Sequence, residues 1–242
     1  MVMKVGDVYP SKNSGDMIVI SNENSRNVSV KFICTNRAYH GLQRGNVIRG
    51  VVRDYYYPSV EGVGYLGTNR KVSSLPAYHC WKRMLVRCYS ENYHSNRGTY
   101  RDCSVEKSWH NFTNFESWFD ENYVEGYHLD KDLLEQGNRV YSKTTCCFIP
   151  DYLNSLIVER VKVEEGGTVG VTKRKKKGTK EFNGLYNVQI AGSFLMRTRD
   201  LREAGDNYRD FKKLLFEEAA DKLEDLNMIT SYQASKLRTR RV

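Results

Sequence analysis

Tyr127-His-Leu-Asp-Lys-Asp132, then Gln136-Gly-Asn138, Tyr141-Ser142 and Thr145-Cys-Cys-Phe-Ile-Pro150, is the stretch around which the chain is organised. It reads as a short strand, a tight Gly-Asn turn, a second short strand and a helix that starts near Pro150 and carries Asn154. Side chains alternate across an extended strand, so His128, Asp130 and Asp132 share one face. A strand pair that projects carboxylates, closed by a helix with a polar residue facing back, can grip a divalent cation against a scissile phosphate. On this reading Asp130 and Asp132 are metal ligands and His128 is the general base. The plainer alternative leaves His128 as a surface residue and pairs the two aspartates with lysine or arginine.

Composition bounds what such a unit serves. The chain has 242 residues, enough for two or three small domains, and a net charge of +9. Aromatic residues make up 12% of it, with seventeen tyrosines, too many for a disordered basic tail. A folded, basic, tyrosine-rich chain favours nucleic acid as its partner; a basic surface kept for solubility is the alternative. There is no run of about 18 apolar residues, and the opening Met1-Val-Met-Lys-Val-Gly-Asp7 lacks the apolar segment of a signal peptide. No membrane partner is expected, and the expected compartment is the cytoplasm. The cysteines at 34, 80, 88, 103, 146 and 147 contain no Cys-x-x-Cys pair, which argues against structural zinc. Cys80 and Cys88 fall in a helical pattern, as buried free thiols do.

The expected fold class is α+β. Residues 1–66 alternate in Met17-Ile-Val-Ile20, Val28-Ser-Val-Lys-Phe-Ile33 and Val47-Ile-Arg-Gly-Val-Val52, between Asn, Gly and Ser clusters, which predicts a small antiparallel β-barrel. Its job is docking to nucleic acid or to protein, a host protein included, or simply folding the N-terminus. A central domain spans 76–160. Tyr78, Trp81, Leu85 and Cys88 give a helix after Pro76, with Lys82, Arg83 and Arg87 on its opposite side. Asn111 caps a second helix whose Phe112, Phe115, Trp118 and Phe119 keep helical spacing and so read as core.

A third domain spans 168–229. Val169-Gly-Val-Thr172, Tyr186-Asn-Val-Gln-Ile190 and Phe194-Leu-Met-Arg-Thr-Arg199 predict three strands, and the apolar run Tyr208, Phe211, Leu214, Leu215, Ala219, Leu223 predicts one long helix. Residues 230–242 read as a basic tail. Between Gly170 and Arg199 eight basic residues stand against Glu181 alone, which is +7 of the chain's +9. Charge focused on one small unit is the footprint of phosphate binding. The candidate DNA-binding residues are Lys173, Arg174, Lys175 and Lys177 in the loop and Asn187, Gln189, Arg197 and Arg199 on the strands. Asn, Gln and Arg on an open strand face are the side chains that read base edges.

Two resemblances bear on these units. Gly170-Val-Thr172, Tyr186-Asn-Val-Gln-Ile190 and Phe216-Glu-Glu-Ala-Ala220 resemble the Apetala-type (ethylene-response-factor) DNA-binding domain, although the tryptophans common on that family's DNA-facing strands are missing. Tyr78-His-Cys-Trp-Lys-Arg-Met-Leu-Val-Arg-Cys-Tyr89, through Trp109 to Asn154, resembles phage-encoded HNH (ββα-metal) homing-endonuclease-like proteins. Some of those carry an Apetala-type module on the same chain. The second resemblance implies a phage gene acting in an infected bacterial cell, double-stranded DNA as partner, and cleavage or nicking with Mg²⁺ or Mn²⁺. It places Asp130 at the first metal ligand, Asn154 at the helix ligand, Lys131 where an active site has its general-base histidine, and Thr145 where the orienting asparagine stands. A lysine needs a shift of about three pKa units to act as base near neutrality, roughly 4 kcal/mol. The candidate catalytic residues are therefore His128, Lys131 and Asn138, and the candidate metal ligands Asp130, Asp132 and Asn154. The competing expectation is a DNA-binding protein on an inactive nuclease scaffold, a phage regulator or an inhibitor of a host enzyme.

Overall fold

The computed structural model describes residues 2–157, 169–190 and 193–242. Its first strands are β1 (Val8–Ser11), β2 (Gly15–Asn24), β3 (Asn27–Phe32) and β4 (Ala38–Leu42), followed by helices α1 (Arg44–Ile48), α2 (Pro76–Tyr89) and α3 (Glu91–Asn96). Strand β5 (Ser104–Val105), helix α4 (Phe112–Asn122), strands β6 (Tyr127–Asp130), β7 (Val140–Tyr141) and β8 (Cys147–Pro150), and helix α5 (Asp151–Ile157) form the middle. Strands β9 (Val171–Lys175), β10 (Phe182–Ile190) and β11 (Ser193–Thr198) precede the long helix α6 (Leu201–Asp225) and the short α7 (Ser231–Arg238). The class is α+β. None of the described helices is long and apolar enough to cross a membrane.

The chain divides into two compact units, Met1–Asn122 with Arg139–Ser142, and Tyr123–Asn138 with Lys143–Val242. The span expected as one central domain is thus shared between them. Its end at 160 and the start of the next domain at 168 lie outside the described residues.

In the first unit β1 to β4 form an antiparallel meander in the order β1-β2-β3-β4. It is an open sheet and not the closed barrel expected, since β1 pairs with β2 alone and β4 with β3 alone among the described strands. Met17, Val19, Val28, Val30 and Phe32 face inward and pack with Val47. Val47-Ile-Arg-Gly-Val-Val52 was expected as a strand; its first residues instead belong to α1. Gly50 turns the chain at φ 64°, and a Cβ there would lie 2.5 Å from the Pro10 carbonyl oxygen, so the run cannot continue extended.

Helix α2 starts with Pro76, whose missing N–H costs nothing in a first turn. It buries Ala77, Trp81, Met84, Leu85 and Cys88. The Trp81 indole N–H donates to the Trp109 carbonyl at 2.7 Å, and its ring meets Phe112 edge-on at 5.5 Å. Phe112, Phe115 and Phe119 are buried, as their spacing predicts. The Asn111 side-chain oxygen accepts from the Thr113 backbone N–H at 3.2 Å and caps α4.

In the second unit β6 pairs antiparallel with β8, Asp130 opposite Cys147 and His128 opposite Ile149. The hairpin partner is therefore the Cys147–Pro150 run; β7, in the first unit, pairs in parallel with β5 instead. Every residue of β8 is buried, and such a strand shows no alternation to mark it. Helix α5 leaves directly from Pro150. Leu133, Ile149, Leu153 and Leu156 share one core with Val188, Ile190, Phe216, Ala220 and Leu237.

The C-terminal sheet has the order β11-β10-β9 and is backed by α6, as expected. The Asp200 carboxylate caps that helix through Arg202 and Glu203 N–H groups. Phe211 and Leu214 were expected on its apolar face but are 40% and 50% exposed. The buried stripe runs through Ala204, Tyr208, Phe216, Ala219 and Leu223, and Lys212 lies within it, its ammonium 3.2 Å from the Tyr208 hydroxyl. The expected basic tail is also corrected. Thr230 and Gln233 form a capping box that starts α7, Ala234 and Leu237 are buried, and Arg238 binds Asp221 and Glu224, each at 2.7 Å.

Candidate functional site

Antiparallel neighbours point to the same side of a sheet, so register assigns each basic residue to a face. Asn187 of β10 lies between Thr172 of β9 and Arg197 of β11. Val188, between Val171 and Met196, points to α6 and is fully buried. The open face therefore carries Thr172, Arg174, Asn187 and Arg197, with Gln189 opposite Phe194 in the next row. The Asn187 side-chain oxygen Oδ1 accepts from the Arg197 Nε–H at 3.0 Å, and the guanidinium lies 4.8 Å from the Phe194 ring centre. Both contacts hold Arg197 in place. Phe194, 52% exposed, was not picked out from sequence, although an exposed aromatic amid basic strands was a readable signal.

The other basic candidates are placed differently. Lys173 lies opposite Tyr186 and Lys175 opposite Phe182, so both point away from the open face at the edge strand β9. Lys177 is in the hairpin turn, and Arg199 is exposed in the bend after β11. Lys176 and Glu181 pair across the turn at 2.8 Å, both mostly exposed, an interaction that adds little stability.

The 127–138 segment is built otherwise than its sequence suggested. Strand β6 stops at Asp130 because that carboxylate turns back on its own chain: Oδ2 accepts from the Asp132 N–H at 2.7 Å and the Leu133 N–H at 2.6 Å. Asp132 consequently leaves the strand and does not share the face of His128 and Asp130. Its carboxylate takes the Lys131 ammonium, 2.9 Å from each oxygen, and the same ammonium donates to the Asn138 carbonyl at 2.7 Å. The Asn138 side chain returns a bond to the Lys131 carbonyl at 3.0 Å. Arg240 donates to the Asp132 carbonyl at 2.7 Å, and Gln136 exchanges two 3.0 Å bonds with the Arg241 backbone. Lys131 is thus bound to three oxygen atoms of its own loop. Lys131 and Asn138 close a loop.

His128 stands apart from this network. Its Nε2 is 3.7 Å from the Asp151 carboxylate at the start of α5, with side chains 52% and 72% exposed. Sequence reading missed Asp151, which an acid just after Pro150 at the head of a helix could have signalled. Asn154 lies half-buried one turn further along α5.

As arranged, the candidate metal ligands Asp130 and Asp132 are engaged with their own loop. The buried Asp130 carboxylate takes two backbone N–H groups on Oδ2, and the Asp132 carboxylate is paired with Lys131. Among the described residues no three His, Cys, Asp or Glu side chains come together as metal ligands. Burial also pushes the Cys147 thiol up to about 12, with Asp130 adding to the effect, so Cys147 stays a neutral packing group. Compared with protein-family models, with curated proteins and with solved structures, the chain matches none.

Proposed function

We propose that this chain binds double-stranded DNA through the open face of the β9–β11 sheet. The observation that carries the reading is the row Thr172–Asn187–Arg197 with Arg174 and Gln189 beside it: base-reading and phosphate-binding side chains on one unpacked strand face. The likeness of the 170–220 sequence to Apetala-type domains supports the same reading. Arg197, fixed by Asn187 and Phe194, meets its ligand with little ordering cost. Replacing Arg174 and Arg197 together by alanine should lower the slope of log affinity against log salt by about 0.9 for the phosphate contact of Arg174 and weaken sequence preference through the lost base contact of Arg197. The same change at Lys173 and Lys175 should lower it less, because they point the other way. A gel-shift salt series in which the arginine pair leaves the slope unchanged refutes the proposal.

A second reading is divalent-cation-dependent nicking by the β6–β8–α5 segment. It is favoured by one observation, the antiparallel strand pair followed directly by a helix, together with the resemblance to HNH proteins. The occupied carboxylates of Asp130 and Asp132 weigh against it. Supercoiled plasmid incubated with the protein and Mg²⁺ or Mn²⁺ separates the two. Intact supercoils at protein concentrations that shift the DNA are the expected result; cation-dependent nicks, lost in His128→Ala, establish the second reading.

A further inference from the structure

The basic stripe of α2 belongs to the first unit, and the β9–β11 sheet to the second. His79, Lys82, Arg83 and Arg87 recur at three- and four-residue steps on the side of α2 opposite its buried Trp81 stripe. With Tyr93 of α3 and Arg97 just after it, they line a cleft of about 440 Å³ that also includes Val86. That is within the size range of ligand sites. No carboxylate is among its lining residues. Four cations around one concavity repel one another, and a low-dielectric wall strengthens the field they project. The side chain of Arg87 is held by a hydrogen bond to the Tyr141 hydroxyl, and its guanidinium lies 5.9 Å from the Tyr100 ring centre. Lys82 and Arg83 are exposed at the rim. The cleft thus joins one held donor to exposed ones, suited to an anion that arrives from solution.

We infer that this cleft is a second DNA contact, taking successive phosphates of one strand. An extended ligand is favoured over a single phosphate by the length of the array. Residues 79 to 87 span about 12 Å of helix axis at 1.5 Å per residue, and phosphates of one strand recur about every 3.4 Å along a duplex. A lone phosphate is filled by two or three donors; this cleft offers a row. The inference rests on the reading of the chain as a duplex-binding protein and adds a footprint in its other unit, one that carries affinity without sequence preference.

The test is a fluorescence-anisotropy salt series on a labelled short duplex, comparing the full chain with Lys82→Ala/Arg83→Ala, with Arg174→Ala/Arg197→Ala, and with all four changes combined. Both rim residues are exposed, so equal thermal melts of wild type and the rim variant confirm that folding is intact. The rim variant should lose about 1.8 from the salt slope and about tenfold in affinity at moderate salt. The loss should be equal on every duplex sequence and should persist in the Arg174/Arg197 background. A rim variant with the wild-type slope overturns the cleft, whatever the sheet variant does. A sheet variant with the wild-type slope, beside a rim variant with a reduced one, overturns the sheet interface and leaves the cleft standing. A wild-type chain that binds no duplex overturns both. Calorimetric titration with inorganic pyrophosphate distinguishes the other source of the same chemistry: tight binding lost in the rim variant, with an unchanged DNA slope, would make the cleft a free-phosphate site.

Discussion

Replacing Gly170 by alanine is expected to destabilise the second unit by about 3–5 kcal/mol, enough to unfold it near physiological temperature. Gly170 stands at φ 72°, immediately before β9, where an L-residue pays about 1–2 kcal/mol for the left-handed backbone. The larger cost is steric. A Cβ would overlap the ring of Tyr208, a buried residue of α6, and lie 2.8 Å from the Gln189 carbonyl oxygen. The backbone cannot retreat, because the Gln189 N–H donates to the Gly170 carbonyl at 2.8 Å. Nor can Tyr208 swing out easily, since it packs in the core beneath β10. Trimming the obstacle should recover part of the loss: Gly170→Ala combined with Tyr208→Leu should be more stable than the sum of the single effects by about 1–2 kcal/mol, the coupling expected of residues in contact. Urea melts of the four proteins measure it. Additive effects would mean that the ring moves aside freely and that only backbone strain is felt.

That glycine also shows which parts of the fold are legible in a sequence. Helix α2 is, because Pro76 marks its start and the Trp81–Leu85–Cys88 stripe keeps one period. Strand β10 is, because Val188 and Ile190 alternate with Asn187 and Gln189 and only one face is buried. Strand β8 is not, because Cys147-Phe-Ile-Pro150 is apolar throughout and period cannot distinguish a strand covered on both faces from the first turn of a helix. The short Val140–Tyr141 strand, with turn residues just before it, was the natural hairpin partner on sequence grounds, yet its pairing with β5 depends on residues more than thirty positions earlier. At the candidate site the alternation rule placed Asp132 beside His128, and it would have been right had the strand continued. The carboxylate of Asp130 ended it by capturing two backbone N–H groups, a short polar side chain competing with the ladder for donors. Further bonds that fix the loop come from Arg240 and Arg241, about a hundred residues away, and nothing local in the sequence announces them.

Whether Asp130 is a stabilising turn residue or a ligand can be read from how it tolerates replacement. Asp130→Ala removes the acceptor of two N–H groups in a mostly buried turn, at about 1–3 kcal/mol for each donor left unsatisfied, so a total loss of about 2–5 kcal/mol is expected. Asp130→Asn keeps a carbonyl oxygen in the same place and should lose little. A metal ligand behaves in the opposite way: asparagine and alanine would both abolish cation-dependent nicking, with neither greatly changing stability. The pH dependence supplies an independent sign. Burial is the largest influence on this carboxyl and raises its pKa; the charge of Asp132 adds to the shift, while the Leu133 and Asp132 N–H groups and Arg240 oppose it. A proton is therefore held more tightly in the folded chain than in the unfolded one. The stability contributed by that proton is complete below the ordinary carboxylate range and is lost as pH rises through the raised value. Wild-type stability measured by urea unfolding should accordingly decline relative to Asp130→Asn across that window and run parallel to it above. A wild-type curve that rises relative to the asparagine variant with increasing pH would mean that the charged form is the favoured one, and that Asp130 is poised for a cation after all.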